Sequence, residues 1–286
     1  MLCVLLDRRK KGMNFKMKKI ENLTWIIALI LVIVLIGVIG YGYYQKATLE
    51  VKNPIATMEV ENFGTVKMEL YPEMAPETVA NFIALANRGF YDGKKFHRIV
   101  KDFMIQGGSV NGDGTGSVKI SDLKDGGADE AYSIKGEFLD NNVKNTLRFD
   151  EGVVGVARAD YTQYSSDLAE ESYNSGSCEF FIMTEDNTNL NGHYAAFGKV
   201  IEGMDVVHKI EEVEVTSGTD ETAEGSDSST SSEVSTPVNP PVIKSIRVET
   251  YGEDYGLPET LTPFDVNNWI YEQYGVDPNS MVSTGE

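Results

Sequence analysis

The stretch "LTWIIALILVIVLIGVIGYGYY", Leu23 to Tyr44, carries no charged residue, and it divides the chain into two unequal parts. It is long enough to span a bilayer as helix, which takes roughly 20 apolar residues. Trp25 at one end and Tyr41, Tyr43 and Tyr44 at the other suit the two membrane interfaces. Seven basic residues (Arg8, Arg9, Lys10, Lys11, Lys16, Lys18 and Lys19) precede it, against two acidic ones. This bias keeps the N-terminal end in the cytoplasm. A cleaved signal peptide is the rival reading. The exit "GYGYYQKATLE" offers neither an A-x-A cleavage site nor a lipobox cysteine, so the run is read as an uncleaved anchor. The expected order is a basic cytoplasmic segment over 1–22, a transmembrane anchor over 23–44 and a tether over 45–54. The rest of the chain would lie outside the cell membrane.

The whole chain of 286 residues has a net charge of −19, so about −24 resides beyond the anchor. Phosphate binding needs a basic patch, which argues against a nucleic-acid partner. The two cysteines, Cys3 and Cys178, fall on opposite sides of the anchor and cannot pair within one chain. The exported part must therefore hold itself together by its core. Cys178 reads as a small buried apolar residue.

Beyond the tether, "IATMEVENFGTVKMELY" alternates as a hairpin. In "APETVANFIALANRGFY", Pro76 and Glu77 open a helix with a Val79, Phe82, Ile83, Leu85, Ala86 stripe, and Gly89 stops it. Short strands follow at "FHRIVKDFMIQGG", "GVVGVARA", "CEFFIMT" and "HYAAFGKV", then a second amphipathic helix at "GMDVVHKIEEV". Residues 216–241 are rich in Ser, Thr, Asp, Glu and Pro, too poor in apolar groups to offset ordering entropy, and are expected to be disordered. "PVIKSIRVETY" returns as a final strand, so the acidic stretch is an insertion within a domain spanning 55–251. A tail occupies 252–286, with "TPFDVNNWIYEQYG" as a short helix. Many short strands with two helices indicate a mainly β fold, a barrel or a sandwich.

Several chemistries are excluded by pattern. "GDGTGS" lacks the Lys-Ser/Thr of a phosphate loop and the G-x-G-x-x-G spacing. His97, His193 and His208 show no metal-ligand spacing, and His97 reads as a satisfied structural histidine. "SDLKDGGADE" departs from a calcium loop, and no G-x-S-x-G elbow is present. No metal or cofactor is expected.

"FHRIVKDFMIQGG" holds an arginine, a glutamine and large apolar groups without a nucleophile or base. Residues two apart on a strand share a face. If the bend at Lys101 and Asp102 preserves parity, Arg98, Met104 and Gln106 line one surface, with Phe103 at the corner. This segment, followed by "GDGTG", "GVVGVARA", "CEFFIMT" and "LNGHYAAFGKVIEGMDVV" in that order, resembles the cyclophilin-type peptidyl-prolyl cis-trans isomerases. The first helix "APETVANFIAL" fits as well.

The resemblance implies a closed eight-stranded antiparallel barrel capped by two helices, and rotation about Xaa-Pro peptide bonds. By position, it implies catalytic roles for Arg98, Phe103 and Gln106. Met104, Phe181 and Leu190 would complete the proline pocket with Phe103. Ala157 and Arg158 would meet the substrate backbone, and Glu179 and Tyr194 would border it. Arg158 stands where the family usually has Asn, Tyr194 where many members have His, and Glu179 where Gln is usual. Glu179 is expected to pair with Arg98 and compete with substrate. Asn189 replaces a tryptophan that helps to bind cyclosporin, so weak or no binding of that drug is expected. "DYTQYSSDLAEESYNSGS" is longer than the family's usual loop. The expected partners are proline-containing stretches of exported proteins, folded at the membrane surface. The alternative is a catalytically weak proline-peptide-binding module or chaperone using the same groove.

Overall fold

In a computed structural model of the chain, Ala56, Met58 and Val60 of strand β1 (Ile55–Val60) are buried, as are Val66, Met68 and Leu70 of β2 (Gly64–Leu70). That is the alternation a half-buried hairpin requires. The structure describes residues 25, 27–42, 52–217 and 234–275. It divides into two compact units, Met1–Lys52 and Asn53–Glu286.

In the first unit, residues 27–42 form helix α1, with exposed apolar side chains such as Ile30, Val34 and Val38. Among the described residues no helix is long and apolar enough to cross a membrane. Of the stretch expected as an anchor over 23–44, Trp25 and residues 27–42 are described, and they are helical. The rest of the 1–22 segment and of the anchor, apart from Trp25, lies outside the described residues, as do 45–51 of the tether.

In the second unit β1 and β2 join an eight-stranded antiparallel sheet. Its other strands are β3 (Phe96–Val100), β4 (Met104–Gly107), β6 (Val153–Val156), β7 (Phe180–Met183), β8 (Ala196–Glu202) and β11 (Ile243–Glu249). The order is β11-β1-β2-β8-β6-β7-β4-β3. The expected closed barrel is corrected to an open, curled sheet. Among the described residues no ladder joins the edge strands β3 and β11, and an isolated bridge, Lys95 to Val242, tacks their ends.

Helix α2 (Pro76–Asn87) packs on β11 and buries Val79, Phe82, Ile83, Leu85 and Ala86. No side chain of its own caps its N-terminus. Instead the buried Glu137 carboxylate accepts from Glu77 N (3.1 Å) and Thr78 N (2.8 Å), satisfying two otherwise unpaired donors. Short helices α3 (Ile120–Leu123) and α4 (Ala169–Tyr173) follow. Helix α5 (Met204–Glu211) lays Val206, Val207 and Ile210 against the core, beside β2 and β4. The core centres on Phe82, with Tyr91, Phe180 and Phe197 at ring distances of 5.2–5.7 Å.

One further expectation is corrected, and two segments left open by the sequence are tied to the domain. The stretch expected to be disordered over 216–241 is ordered at both ends. Strands β9 (Val215–Ser217) and β10 (Val234–Pro237) pair antiparallel, and Ser235 and Pro237 are buried; 218–233 lies outside the described residues. The long connection "DYTQYSSDLAEESYNSGS" folds on itself, because Tyr161 N donates to Ser172 Oγ and Ala159 N to Ser175 Oγ. The segment read as a tail after 252 is held against the domain. Strand β12 (Thr260–Leu261) pairs with β5 (Ser133–Ile134), Glu259 N donates to Glu77 Oε2 (2.6 Å), and the Phe264 ring packs tilted against Tyr161 at 5.2 Å. It ends in α6 (Val266–Tyr274), the short helix expected there; 276–286 lies outside the described residues.

Candidate functional site

The site begins with a fault in strand pairing. The β3–β4 register shifts between Phe96 and Arg98, a bulge. In a regular strand Phe96 and Ile99, three apart, would face opposite sides. The bulge lets both enter the main core while Arg98 stays half-buried on the other face. Beyond it the pairs are regular: Arg98 with Gln106, Ile99 with Ile105, Val100 with Met104. Arg98, Met104 and Gln106 therefore share one face, as expected from the sequence.

Asp102 makes the turn between the two strands with φ 57°. Two carboxylates at the end of α5 hold that turn. Glu211 Oε1 accepts from Asp102 N (2.8 Å), and Glu212 pairs with Lys101 (2.7 Å). Burial pushes the Glu211 carboxyl up, but hydrogen bonds including those from His208 and Asp102 N outweigh it and hold it below the usual range. Phe103 O accepts from Thr184 N (3.0 Å), which fixes the corner residue.

β4 pairs with β7, which sets Gln106 opposite Phe181 and Met104 opposite Met183; β6 sets Gly155 opposite Phe181. On this face a second apolar cluster forms, separate from the main core. Met104, Phe149, Val153, Phe181, Met183 and Ala196 are its buried floor. Phe103, Leu190, Tyr194, Ala157, Val100 and Leu147 are its half-buried walls. The pocket residues expected from the sequence (Phe103, Met104, Phe181 and Leu190) are thus brought together, with Ala157 and Tyr194 beside them. Phe149 was not foreseen. It stacks on Phe181 (5.6 Å, 20°) and lies in an irregular segment with no periodic signal. Gly155 was not foreseen either: a Cβ there would meet Phe181 Cζ at 2.5 Å and Phe149 Cε1 at 2.7 Å, so only glycine admits both rings.

Polar groups line the rim. Arg98 Nη1 lies 3.5 Å from Gln106 Oε1 and 3.8 Å from Met104 Sδ. Gln106 Nε2 donates to Glu179 Oε2 at 2.9 Å. An ionised carboxylate accepts only, so Glu179 takes the amide nitrogen and turns the amide oxygen toward the guanidinium. The expected Glu179–Arg98 link thus runs through Gln106. His97 Nε2 lies 3.4 Å from Glu179 Oε2. Its buried Nδ1 has no hydrogen-bond partner among the described residues, which corrects the reading of a fully satisfied histidine. Arg158 donates to His193 O and Ala159 O and lies over the Tyr194 ring at 4.6 Å. Ala157 N is already engaged by Glu179 O (3.1 Å). Cys178 is buried in the main core, as expected, and that burial pushes its thiol up to about 12. Among the described residues no His, Cys, Asp and Glu cluster could hold a metal ion.

The eight-stranded sheet, its two packed helices and this half-polar apolar site define a class. The model of the family described as cyclophilin type peptidyl-prolyl cis-trans isomerase/CLD matches residues 55–239, and the chain belongs to that family. It is 36% identical over 146 residues to peptidyl-prolyl cis-trans isomerase B of Bacillus subtilis, covering 51% of this chain and 82% of that protein. It is 33% identical over 157 residues to mouse peptidyl-prolyl cis-trans isomerase-like 1, covering 54% and 79%. With the isomerase cyp15 of Rhizopus delemar it shares 33% over 171 residues, 59% of this chain but only 23% of that longer protein. A crystal structure of a Cryptosporidium parvum cyclophilin type isomerase, solved with the dipeptide Ala-Pro, aligns with a TM-score of 0.49 and 26% identity. That alignment covers 68% of this chain and 98% of the other.

Proposed function

We propose that the domain from Ile55 onward catalyses cis-trans rotation of Xaa-Pro peptide bonds. The observation that carries this reading is the cross-strand pair of Arg98 and Gln106 at the lip of an apolar cluster separate from the core. Amide resonance sets a barrier of about 18–20 kcal/mol, and unaided exchange takes tens to hundreds of seconds. No covalent intermediate is needed to lower it. The proline ring rests on Met104 and Phe181 between Phe103 and Leu190. Gln106 holds the peptide on one side of the bond. The Arg98 guanidinium donates where it draws density off the prolyl nitrogen, favouring the twisted amide over the planar one. An acceleration of about 10⁶ corresponds to ~8 kcal/mol of such preference.

The test uses the domain together with its C-terminal segment. Exchange of a short Xaa-Pro peptide is followed by NMR with wild type and Arg98→Ala. Fast exchange lost in a folded variant supports the enzyme. Binding without acceleration in wild type supports the second reading, a proline-peptide-binding module. The Glu179 hold on the Gln106 amide favours that reading, since it occupies a donor that substrate needs.

We also propose that the chain is a single-pass membrane protein with its N-terminus in the cytoplasm and its isomerase domain outside, serving exported proteins. The uncharged run over 23–44, its basic flank and the apolar exposure of α1 support this. Carbonate-resistant sedimentation with the membrane and digestion of the domain by external protease are expected. Release into the soluble fraction would refute it. Cyclosporin should bind weakly or not at all, because Asn189, exposed in a short turn, offers no aromatic surface; nanomolar affinity by titration would overturn this.

A further inference from the structure

Arg158 sits where β6 leaves the sheet, beside the groove, and its setting differs from that of other arginines in the domain. Arg88, Arg148 and Arg247 each hold an aspartate. Arg158 instead lies 4.6 Å from the Tyr194 ring centre, 5.4 Å from Tyr173 and 5.6 Å from Phe138. Its Nε donates to His193 O and its Nη1 to Ala159 O, both at 3.2 Å. A guanidinium has five N–H groups, so three remain unengaged by these bonds. Among the described residues no carboxylate pairs with it, in a chain whose net charge is −19.

Three rings and two carbonyls hold this fork still, so an arriving anion meets donors whose ordering cost is already met. The cage is continuous with the groove, because Tyr194 packs edge-on against Phe181 at 5.9 Å. Tyr173 comes from α4 in the long connection, which gives that insertion a part in the site. One rung away, Glu179 presents the opposite charge toward Gln106.

We propose that Arg158 is a specificity-determining residue that selects peptides carrying an Asp or Glu carboxylate at one position beside the isomerised proline. The inference rests on the isomerase reading for turnover, but binding tests it separately. A single Glu or Gln is scanned through the two positions before and the two after proline in a short peptide. NMR gives exchange rates, and shift titration gives affinities. At one position Glu should be favoured over Gln by about fivefold, the upper range for a partly exposed ion pair. Added salt should shrink that preference. Arg158→Met should bring the ratio to about one, and Arg158→Lys should keep part of it, which a purely structural stack would not do. A ratio of one at every position in wild type overturns the inference, as does an unchanged ratio in folded Arg158→Met. If wild type accelerates no peptide, the isomerase reading fails and the affinity ratios alone decide on Arg158. If Arg158→Met does not fold, the Arg158→Lys ratio against wild type decides.

Discussion

Gly155→Ala is the sharpest test of how the apolar pocket is built. The added Cβ would lie 2.5 Å from Phe181 Cζ, 2.7 Å from Phe149 Cε1 and 2.9 Å from Phe181 Cε1. Carbon atoms rest at about 3.5–4.0 Å, so the rings must retreat by about 1 Å. They have little room: Phe149 and Phe181 are 1% and 5% exposed and stacked, and Asn191 Oδ1 accepts from Phe149 N. Overpacking of this kind costs roughly 1–3 kcal/mol. For a domain of this size, ~2 kcal/mol lowers Tm by about 4–8 °C. Because Phe181 also floors the proposed proline site, a shift of about 1 Å should reduce peptide exchange by up to about 100-fold. Thermal melts by circular dichroism and NMR exchange measure the two effects on one sample. Phe149→Leu in the same chain removes one of the two rings and should restore part of both losses, a coupling that neighbours in contact show. A Gly155→Ala protein with wild-type Tm and exchange would refute the idea that this glycine spaces the pocket.

Three other outcomes are expected. Glu179→Gln replaces a charged acceptor by a neutral one and loosens its hold on Gln106 Nε2; peptide exchange should rise about threefold, and an equal or lower rate would show that the carboxylate positions the amide usefully. Hydrogen bonding to Glu211, against burial and with help from Glu151, holds the His208 imidazole above its usual pKa. A folded-state value raised in this way gives stability that is complete below about pH 6.5 and lost as pH rises through the folded value; Tm should fall over that window in wild type and not in His208→Ala. Cys178, with its thiol pushed up to about 12, should resist alkylation in the native protein and react only on unfolding, as mass spectrometry would record.

Most of the sheet was legible because β1, β2 and the α2 stripe follow simple periods. The shared face of Arg98, Met104 and Gln106 also followed from parity, because the bulge falls before Arg98 rather than after it. What escaped is non-local. The floor ring Phe149 sits in a segment without period, and the cap of α2 comes from Glu137 rather than from a neighbour. The pairing of β9 with β10 hid behind a composition that reads as unstructured. Ser235 and Pro237 are buried there by packing beside β3, which no local pattern announces. The seam between β3 and β11 was misjudged because strand number alone does not say whether the two edges meet.

The pairing of β1 with β11 sets a timetable. Ile55 faces Glu249, about 190 residues later in the chain. At ribosomal speeds of about 5–20 residues per second, the first strand waits roughly 10–40 s for its outer neighbour. Until then the β1–β2 ribbon is too small to be stable alone and shows an open edge to any passing strand. The molecule cannot assemble piece by piece from its front end. It depends, during its own synthesis, on being kept apart from its kind until the last strand arrives.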